Sequence, residues 1–124
     1  MSSDEGFAGR LGTRDRWAED GRAGLQLDVT EDHLNEAGTL HGGVLATLVD
    51  TAMGQAVRSR TGEGDVPATS QLTITYLRPA KPGTLTVTAE VRKQGEHLTV
   101  CEADVQQDGQ ALVHALATFA VLHR

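Results

Sequence analysis

The stretch from Gly42 to about Arg60 predicts a helix that is apolar on nearly every face, and this helix constrains the fold more than any other part of the chain. Its apolar residues at positions 45, 48, 49, 52, 53 and 56 keep helical spacing, and Val44, Ala46 and Val57 extend the apolar surface beyond that stripe. Such a helix is buried on most sides. Because a chain of 124 residues forms one domain, the remaining residues must surround the helix.

The rest of the sequence predicts β-strands joined by tight turns. One strand, Ala23–Val29, precedes the helix, and Thr30 then caps a single helical turn. Four more segments alternate apolar and polar residues after the helix. They are Thr69–Leu77, Thr84–Arg92, His97–Gln106 and Ala111–Leu122. Asp108-Gly109 is a strong hairpin signal, and consecutive hairpins require an antiparallel sheet. We therefore predict an α+β fold over residues 21–124, an antiparallel β-sheet wrapped around one long central helix, after an arm or short helix over residues 1–20.

Charge and cysteine content exclude several classes of protein. A net charge of −6 argues against general nucleic-acid binding, and the longest apolar stretch, around Val44–Met53, is too short to span a membrane. The first twenty residues contain no apolar run that would make a secretory signal, so a cytoplasmic location is expected. Cys101, the single cysteine, fits a small buried hydrophobe on a strand. His33, His97, His114 and His123 have no metal-ligand spacing, so no metal site is expected. No cofactor is expected either.

Asp50 is the residue of this helix with the most informative chemistry. It is flanked by Leu48, Val49, Ala52 and Met53, and burying an ionised carboxylate is costly unless partners or water compensate. A carboxylate kept there at such a cost is a candidate reactive group. The residues alone leave two alternatives open, a hydrogen-bonded aspartate in the core and an aspartate at the solvent edge of the helix.

Gly42 and Gly43 stand at the predicted start of the helix. The first N–H groups of a helix have no partner within it, and the helix dipole favours negative charge there. Because glycine has no Cβ, a substrate carbonyl can approach these amides closely, and they would stabilise an oxyanion developing on a thioester. The alternative is a flexible turn that starts the helix.

A longer motif joins these residues. It reads Asn35-x-x-Gly38-x-x-His41-Gly42-Gly43, followed by Leu48-x-Asp50-x-Ala52. This spacing resembles the hotdog-fold acyl-CoA thioesterases, especially the phenylacetate-pathway (PaaI-like) group. Strand order, helix position and the proline-containing turn at Arg78–Gly83 are similar too, so the resemblance covers nearly the whole chain. It implies a hotdog fold and hydrolysis of a thioester to a free acid and CoA.

The resemblance also implies roles for individual residues. Asp50 matches the catalytic acid of the family, which acts as nucleophile or activates water, and Gly42 matches the backbone amide that polarises the thioester carbonyl. Asn35 matches a side chain that positions water or the leaving group, and His41 lies beside it. The residues expected to border the acyl-CoA substrate are Gly43, Thr51, Gly54, Thr69, Arg78 and Lys81.

Position 54 departs from another branch of the fold. Relatives there that act on aromatic CoA esters carry a hydroxyl-bearing residue four positions after the acid, where this chain has Gly54. Thr51 points about 100° away around the helix and does not replace that hydroxyl. Direct attack by Asp50 and base catalysis therefore both stay open.

Basic residues are concentrated between Val66 and Gly95, where four of them stand against one acidic residue. They are Arg78, Lys81, Arg92 and Lys93. An anionic ligand could dock on this stretch despite the acidic whole, and the resemblance implies that Arg78 and Lys81 hold the phosphates of CoA. The alternative is ordinary solvated strand ends.

The spacing of Gly42 and Asp50 predicts a site shared between two chains. Eight residues of helix separate them by about 12 Å along the axis. A general base and an oxyanion donor must both lie about 3 Å from one reacting centre. Two such helices, antiparallel across a two-fold axis, can bring Gly42 of one chain to Asp50 of the other. We therefore expect a homodimer with two equivalent sites, and a dimer of dimers as the full assembly.

Two other functions fit the same fold. A hotdog hydratase or dehydratase pairs a catalytic histidine with a distant carboxylate in a different motif, which this sequence does not contain. A non-catalytic acyl-CoA-binding module would keep the fold and the basic residues but would have no need for Asp50 within reach of an amide. The sequence does not specify the acyl group of the substrate.

Overall fold

The computed structural model describes residues 6–123. In chain order the elements are helix α1 (Gly6–Arg10), strands β1 (Arg14–Glu19) and β2 (Arg22–Val29), a 3-10 turn (Glu31–His33), helix α2 (Gly42–Arg58), and strands β3 (Val66–Tyr76), β4 (Gly83–Gln94), β5 (Leu98–Gln107) and β6 (Gln110–Leu122). Neither α-helix in this range has the length and apolar character needed to cross a membrane.

The six strands form one sheet in the order β1-β2-β4-β5-β6-β3, and every neighbouring pair is antiparallel. Helix α2 packs against the inward-facing residues of this sheet because its apolar face can be removed from water only there. The buried helix residues are Val44, Leu45, Leu48, Val49, Ala52, Met53, Ala56 and Val57. The predicted α+β architecture, with one long helix inside an antiparallel sheet, is confirmed.

The N-terminal segment has more structure than the predicted arm or short helix. Residues 1–5 lie outside the described range, Gly6–Arg10 is a short helix, and Arg14–Glu19 is a strand that pairs with β2. The sequence does not predict this strand because four of its six residues are exposed and none is buried, so no apolar alternation marks it. Its Trp17 ring covers Gly24, where an added Cβ would come 2.5 Å from the indole nitrogen.

The sheet leaves one stripe of α2 uncovered. The partly or fully exposed residues of α2 are Gly42, Gly43, Ala46, Thr47, Asp50, Thr51, Gly54, Gln55 and Arg58. The expectation that apolar neighbours bury Asp50 is therefore wrong for the single chain. Leu48, Val49 and Ala52 are buried on the inward face of α2, whereas Asp50 lies on the uncovered stripe and is partly exposed. Of the two alternatives, the structure supports an aspartate at the edge of the helix.

Strand β3 forms one edge of the sheet and contains a bulge beside this stripe. Thr69 is paired with Phe119 and Gln71 with the next residue of β6, Thr118, so Ser70 is the extra residue. Side chains of a regular strand alternate between faces, which would turn Thr69 and Leu72 in opposite directions. The bulge lets both face α2, since Leu72 packs against the core and Thr69 contacts the helix.

Candidate active site

Asp50 is held by a hydroxyl group from the bulged part of β3. Thr69 Oγ1 donates a hydrogen bond to Asp50 Oδ1 at 2.6 Å. Oδ2 has no hydrogen-bond partner within residues 6–123. A carboxylate fixed through one oxygen and free at the other is oriented for proton abstraction or for attack. Thr69, which was expected to border the substrate, thus contacts the candidate catalytic acid directly.

The start of α2 leaves one backbone amide free. His41 is the N-cap residue, and its Nδ1 accepts a hydrogen bond from Gly43 N at 3.0 Å. This bond occupies the Gly43 amide and leaves the ring proton of a neutral His41 on Nε2. Gly42 N has no acceptor among the described residues. Of the two glycines expected to meet the substrate, Gly42 therefore carries the available donor.

Asn35 organises the loop that leads into α2. Its Oδ1 accepts hydrogen bonds from Ala37 N at 2.9 Å, Thr39 N at 3.2 Å and the Thr39 hydroxyl at 3.1 Å. Gly38 lies inside this turn with φ of 79°, a conformation that glycine adopts without strain. Asn35 Nδ2 has no partner in the described part of the chain and is free to donate to water or to a leaving group.

Asp50 and Gly42 line different surface hollows of the single chain. The Asp50 hollow is lined by Thr51, Gly54, Gln55, Arg58, Pro67, Thr69 and Phe119. The Gly42 hollow is lined by Thr39, Leu40, Leu45, Tyr76, Leu77, Arg78, Pro79 and Ala80. Thr51 and Gly54 thus lie beside Asp50, and Arg78 beside Gly42. Because the two groups are about 12 Å apart along the helix, one chain does not bring both to one carbonyl.

Lys81 and Arg78 lie on the loop between β3 and β4. The side chain of Gln107 anchors this loop, since it accepts from Lys81 N at 2.9 Å and donates to Lys81 O at 2.7 Å. Arg78 Nη1 donates to Ala111 O at 3.0 Å. Both side chains are exposed, and Arg78 lines the Gly42 hollow.

Arg92 and Lys93 lie elsewhere. They stand near the far end of β4, and nine residues of strand put Arg92 roughly 30 Å from the start of β4. Arg92 is also ion-paired with Glu90 at 2.8 Å and with Glu102 at 3.4 Å. The prediction that these two residues share a docking stretch with Arg78 and Lys81 is therefore wrong, because an extended strand separates residues that are close in sequence.

Tyr76 and His33 contribute to the site region although the sequence does not single them out. Tyr76 Oη donates to Gly42 O at 3.0 Å. His33 is buried, and its ring nitrogens bond Thr30 N at 2.9 Å and Leu11 O at 2.6 Å. The contact of Tyr76 with Gly42 and that of His33 with Leu11 join residues 34 and 22 positions apart, which no local pattern reveals. Thr30-x-x-His33 is the one local signal, because it has the spacing of a capping interaction.

Cys101 takes no part in this chemistry. Its side chain is fully buried on β5, and burial raises the pKa of the thiol to about 11. Because the thiolate is the reactive form, such a thiol is unreactive at neutral pH. The interpretation of Cys101 as a small buried hydrophobe is confirmed.

A six-stranded antiparallel sheet around one central helix, with a carboxylate on that helix, defines a protein of the hotdog fold. A family model described as the thioesterase superfamily matches residues 37–114, and the chain belongs to this superfamily. The superfamily match, together with the 38% identity to the PaaI thioesterase of Escherichia coli, confirms the resemblance to PaaI-like hotdog thioesterases.

Named relatives support the same assignment. Acyl-coenzyme A thioesterase 13 of Homo sapiens is 39% identical over 89 residues, which cover 71% of this chain and 63% of that protein. The acyl-coenzyme A thioesterase PaaI of Escherichia coli is 38% identical over 96 residues, covering 77% of this chain and 66% of the relative. The matches therefore span less than two thirds of these relatives. The BH2602 protein from Bacillus halodurans, solved with CoA, has a TM-score of 0.82 at 33% identity, covering 93% of this chain and 74% of its own.

Proposed function

We propose that this chain hydrolyses acyl-CoA thioesters to a free acid and CoA, with Asp50 as the catalytic carboxylate and Gly42 N–H as the donor to the thioester oxygen. Two groups on α2 carry the proposal. Thr69 holds the Asp50 carboxylate through one oxygen, and the Gly42 amide at the start of the same helix has no acceptor among residues 6–123. Two relatives bear the name acyl-coenzyme A thioesterase, and a third was solved with CoA, which supports this substrate class.

Base catalysis by Asp50 uses one water molecule. Oδ2 takes a proton from the water as the water oxygen attacks the thioester carbon, and the carbonyl oxygen becomes an oxyanion that accepts from Gly42 N–H. The intermediate collapses with cleavage of the C–S bond, and the sulfur of CoA leaves as a thiolate. The thiolate takes up the proton that Oδ2 received from water, which returns Asp50 to its ionised form. Asn35 Nδ2 and His41 Nε2 are the nearby donors available to hold the water or the leaving sulfur.

Direct attack by Asp50 would give the same products by another route. Oδ2 bonds to the thioester carbon, the CoA thiolate leaves, and water hydrolyses the resulting mixed anhydride. Rapid acid quench followed by mass spectrometry distinguishes the routes, because an acyl group attached to Asp50 forms in direct attack alone.

Release of free thiol from a panel of acyl-CoA esters tests the activity. Asp50→Asn retains an oxygen that accepts from Thr69, so we expect it to fold like wild type while kcat falls roughly 10²- to 10⁴-fold. Undiminished turnover by Asp50→Asn would remove Asp50 from the chemistry. Wild-type protein that binds acyl-CoA but releases no thiol from any ester would support the non-catalytic binding module instead.

We also propose that the active site is shared between two chains of a homodimer. Strand β3 pairs with β6 along one side, and its other edge, eleven residues long, has no strand partner in the described chain. Such an edge favours pairing with a second copy. Tyr76 contacts Gly42 near one end of β3, and Thr69 contacts Asp50 nearer the other. Antiparallel pairing of two β3 edges would therefore set Gly42 of one chain beside Asp50 of its partner.

Mixed dimers test the shared site. Asp50→Ala and Gly42→Val are each expected to be nearly inactive alone. In a heterodimer of the two, one site carries both changes and the other carries neither. Random mixing makes about half of the dimers heterodimers with one intact site of two, so activity should return to roughly a quarter of wild type. Verified heterodimers as inactive as their parents would show that both groups act within one chain.

The two hollows receive different parts of the substrate in this proposal. The acyl group lies in the Asp50 hollow of one chain, beside Thr51 and Gly54. The CoA portion approaches the Gly42 hollow of the other chain, which Arg78 lines, and Lys81 lies on the same loop as Arg78. Gly43 contributes space for the His41 cap, since a Cβ there would lie 3.1 Å from His41 Nδ1.

A further inference from the structure

The peptide group between Gly42 and Gly43 is held at both of its polar atoms by side chains. Its N–H, which belongs to Gly43, donates to His41 Nδ1 at 3.0 Å. Its carbonyl, which belongs to Gly42, accepts from Tyr76 Oη at 3.0 Å. His41 is the N-cap of α2, whereas Tyr76 comes from the last position of β3. One peptide plane is thus fixed from the helix side and from the sheet side.

This double hold compensates for the freedom of two consecutive glycines. The Gly42 carbonyl also accepts the intrahelical hydrogen bond of α2, but glycine lacks the Cβ that restricts backbone dihedrals, so the two side-chain bonds define the orientation of this peptide further than the helix alone does. An oxyanion donor is effective when it is already oriented before the reaction. With the Gly42–Gly43 peptide locked, the adjoining Gly42 N–H keeps one direction.

The Tyr76 ring has a second role that is separable from its hydroxyl. Ring atoms lie 3.6 and 3.8 Å from the position that a Cβ on Gly42 would occupy, so the ring stands directly over that residue. The ring also lines the Gly42 hollow together with Leu40, Leu45 and Pro79. The hydroxyl therefore orients the peptide, and the ring shapes the hollow.

We propose that Tyr76 is a positioning residue for the oxyanion donor, which it controls by clamping the Gly42–Gly43 peptide jointly with His41. This inference rests on the proposed thioesterase function and adds a residue to it. Loss of the hydroxyl loosens the peptide and lowers kcat. Loss of the ring also changes the hollow and raises KM.

The chain offers a matched control for this hydroxyl. Thr47 Oγ1 donates to Gly43 O at 2.8 Å, which is the next carbonyl along the same helix turn. That bond comes from within α2 and does not touch the Gly42–Gly43 peptide. Tyr76→Phe and Thr47→Val therefore each delete one hydroxyl that bonds a carbonyl at the helix start, and only the first releases the clamp.

Steady-state kinetics on the best acyl-CoA ester tests the proposal. Tyr76→Phe should lower kcat about tenfold with KM within twofold, which is less than the 10²- to 10³-fold cost of removing an oxyanion donor outright. Thr47→Val should leave kcat unchanged. Tyr76→Phe should have a smaller effect in a His41→Ala background, because the peptide is already loose there. A Tyr76→Phe enzyme with wild-type kcat, or equal losses in both hydroxyl variants, overturns the inference while leaving the Asp50 assignment intact.

Amide hydrogen exchange provides a second readout that does not depend on activity. Tyr76→Phe should accelerate exchange of the Gly43 amide, whose bond to His41 belongs to the clamped peptide, while Thr47→Val should not. Unchanged Gly43 exchange in Tyr76→Phe contradicts the clamp. A wild-type protein that hydrolyses no thioester at all removes the proposed function, and the catalytic role of Tyr76 with it.

Discussion

Gly54 should be a position where stability and activity respond in opposite directions. It lies inside α2, four residues after Asp50, and among the described residues an added Cβ would meet only Phe119 Cε2 outside the nearby helix backbone, at an ordinary contact distance of 3.7 Å. The fold therefore has room for alanine. Replacing a glycine that already adopts helical dihedrals stabilises a protein by about 0.4–1 kcal/mol, mainly because the unfolded chain loses freedom. For a domain of this size we expect Gly54→Ala to raise the melting temperature by about 3 °C.

The same methyl group should reduce activity on large substrates. Gly54 and Asp50 are about 6 Å apart along the helix and line the same hollow, so the new Cβ occupies space beside the carboxylate. One methyl group in a binding pocket changes specificity by about 10- to 200-fold. We expect kcat/KM for aromatic or long acyl-CoA esters to fall roughly tenfold. Acetyl-CoA should be hydrolysed as before, because a two-carbon acyl group at Asp50 should end short of a residue about 6 Å further along the helix.

Thermal denaturation at matched protomer concentration and thiol release across acyl lengths measure both effects. Acetyl-CoA serves as the control within the same variant. A higher melting temperature with no loss on any ester would show that the acyl group does not pass Gly54. A lower melting temperature would show that the contact with Phe119 does not tolerate the methyl group.

Two further predictions concern charged residues. Arg78→Gln should raise KM for CoA esters roughly threefold to fivefold, and more at low salt, with little effect on thioesters that lack the CoA phosphates. Arg92→Gln should not change KM, and equal effects of the two variants would rule out a CoA contact at Arg78. Hydrogen bonds from Arg14 and then Thr84 hold the pKa of Asp28 at about 2, below its usual 3.8, so this stabilisation is present above about pH 4 and disappears as pH falls towards 2. The melting-temperature difference between wild type and Arg14→Gln should therefore be constant above about pH 5 and shrink below pH 4, and a difference that does not change with pH would contradict this linkage.

The sequence alone predicts those features that depend on local patterns. The apolar residues of α2 repeat at helical spacing, and the buried residues of β4 alternate, so both elements can be read from neighbouring positions. Asp108 and Gly109 adopt φ of 51° and 77°, the left-handed conformations that a two-residue hairpin turn of this composition requires. The spacing of Gly42 and Asp50 on one helix is equally local, because the rise per residue fixes their separation.

Contacts between distant segments were decided by the tertiary structure. In a regular strand, Thr69 would lie on the face opposite to Leu72. The bulge at Ser70 turns Thr69 towards Asp50, and this bulge exists only through the pairing of β3 with β6. Tyr76 and Gly42 are 34 positions apart in sequence, and they meet only because the fold packs β3 against α2. Strand β1 is likewise defined by its partner β2, since its own side chains carry no apolar alternation. Periodicity describes how a segment presents its side chains to an average environment, whereas register, bulges and hydrogen bonds between elements depend on the particular partner that folding brings alongside.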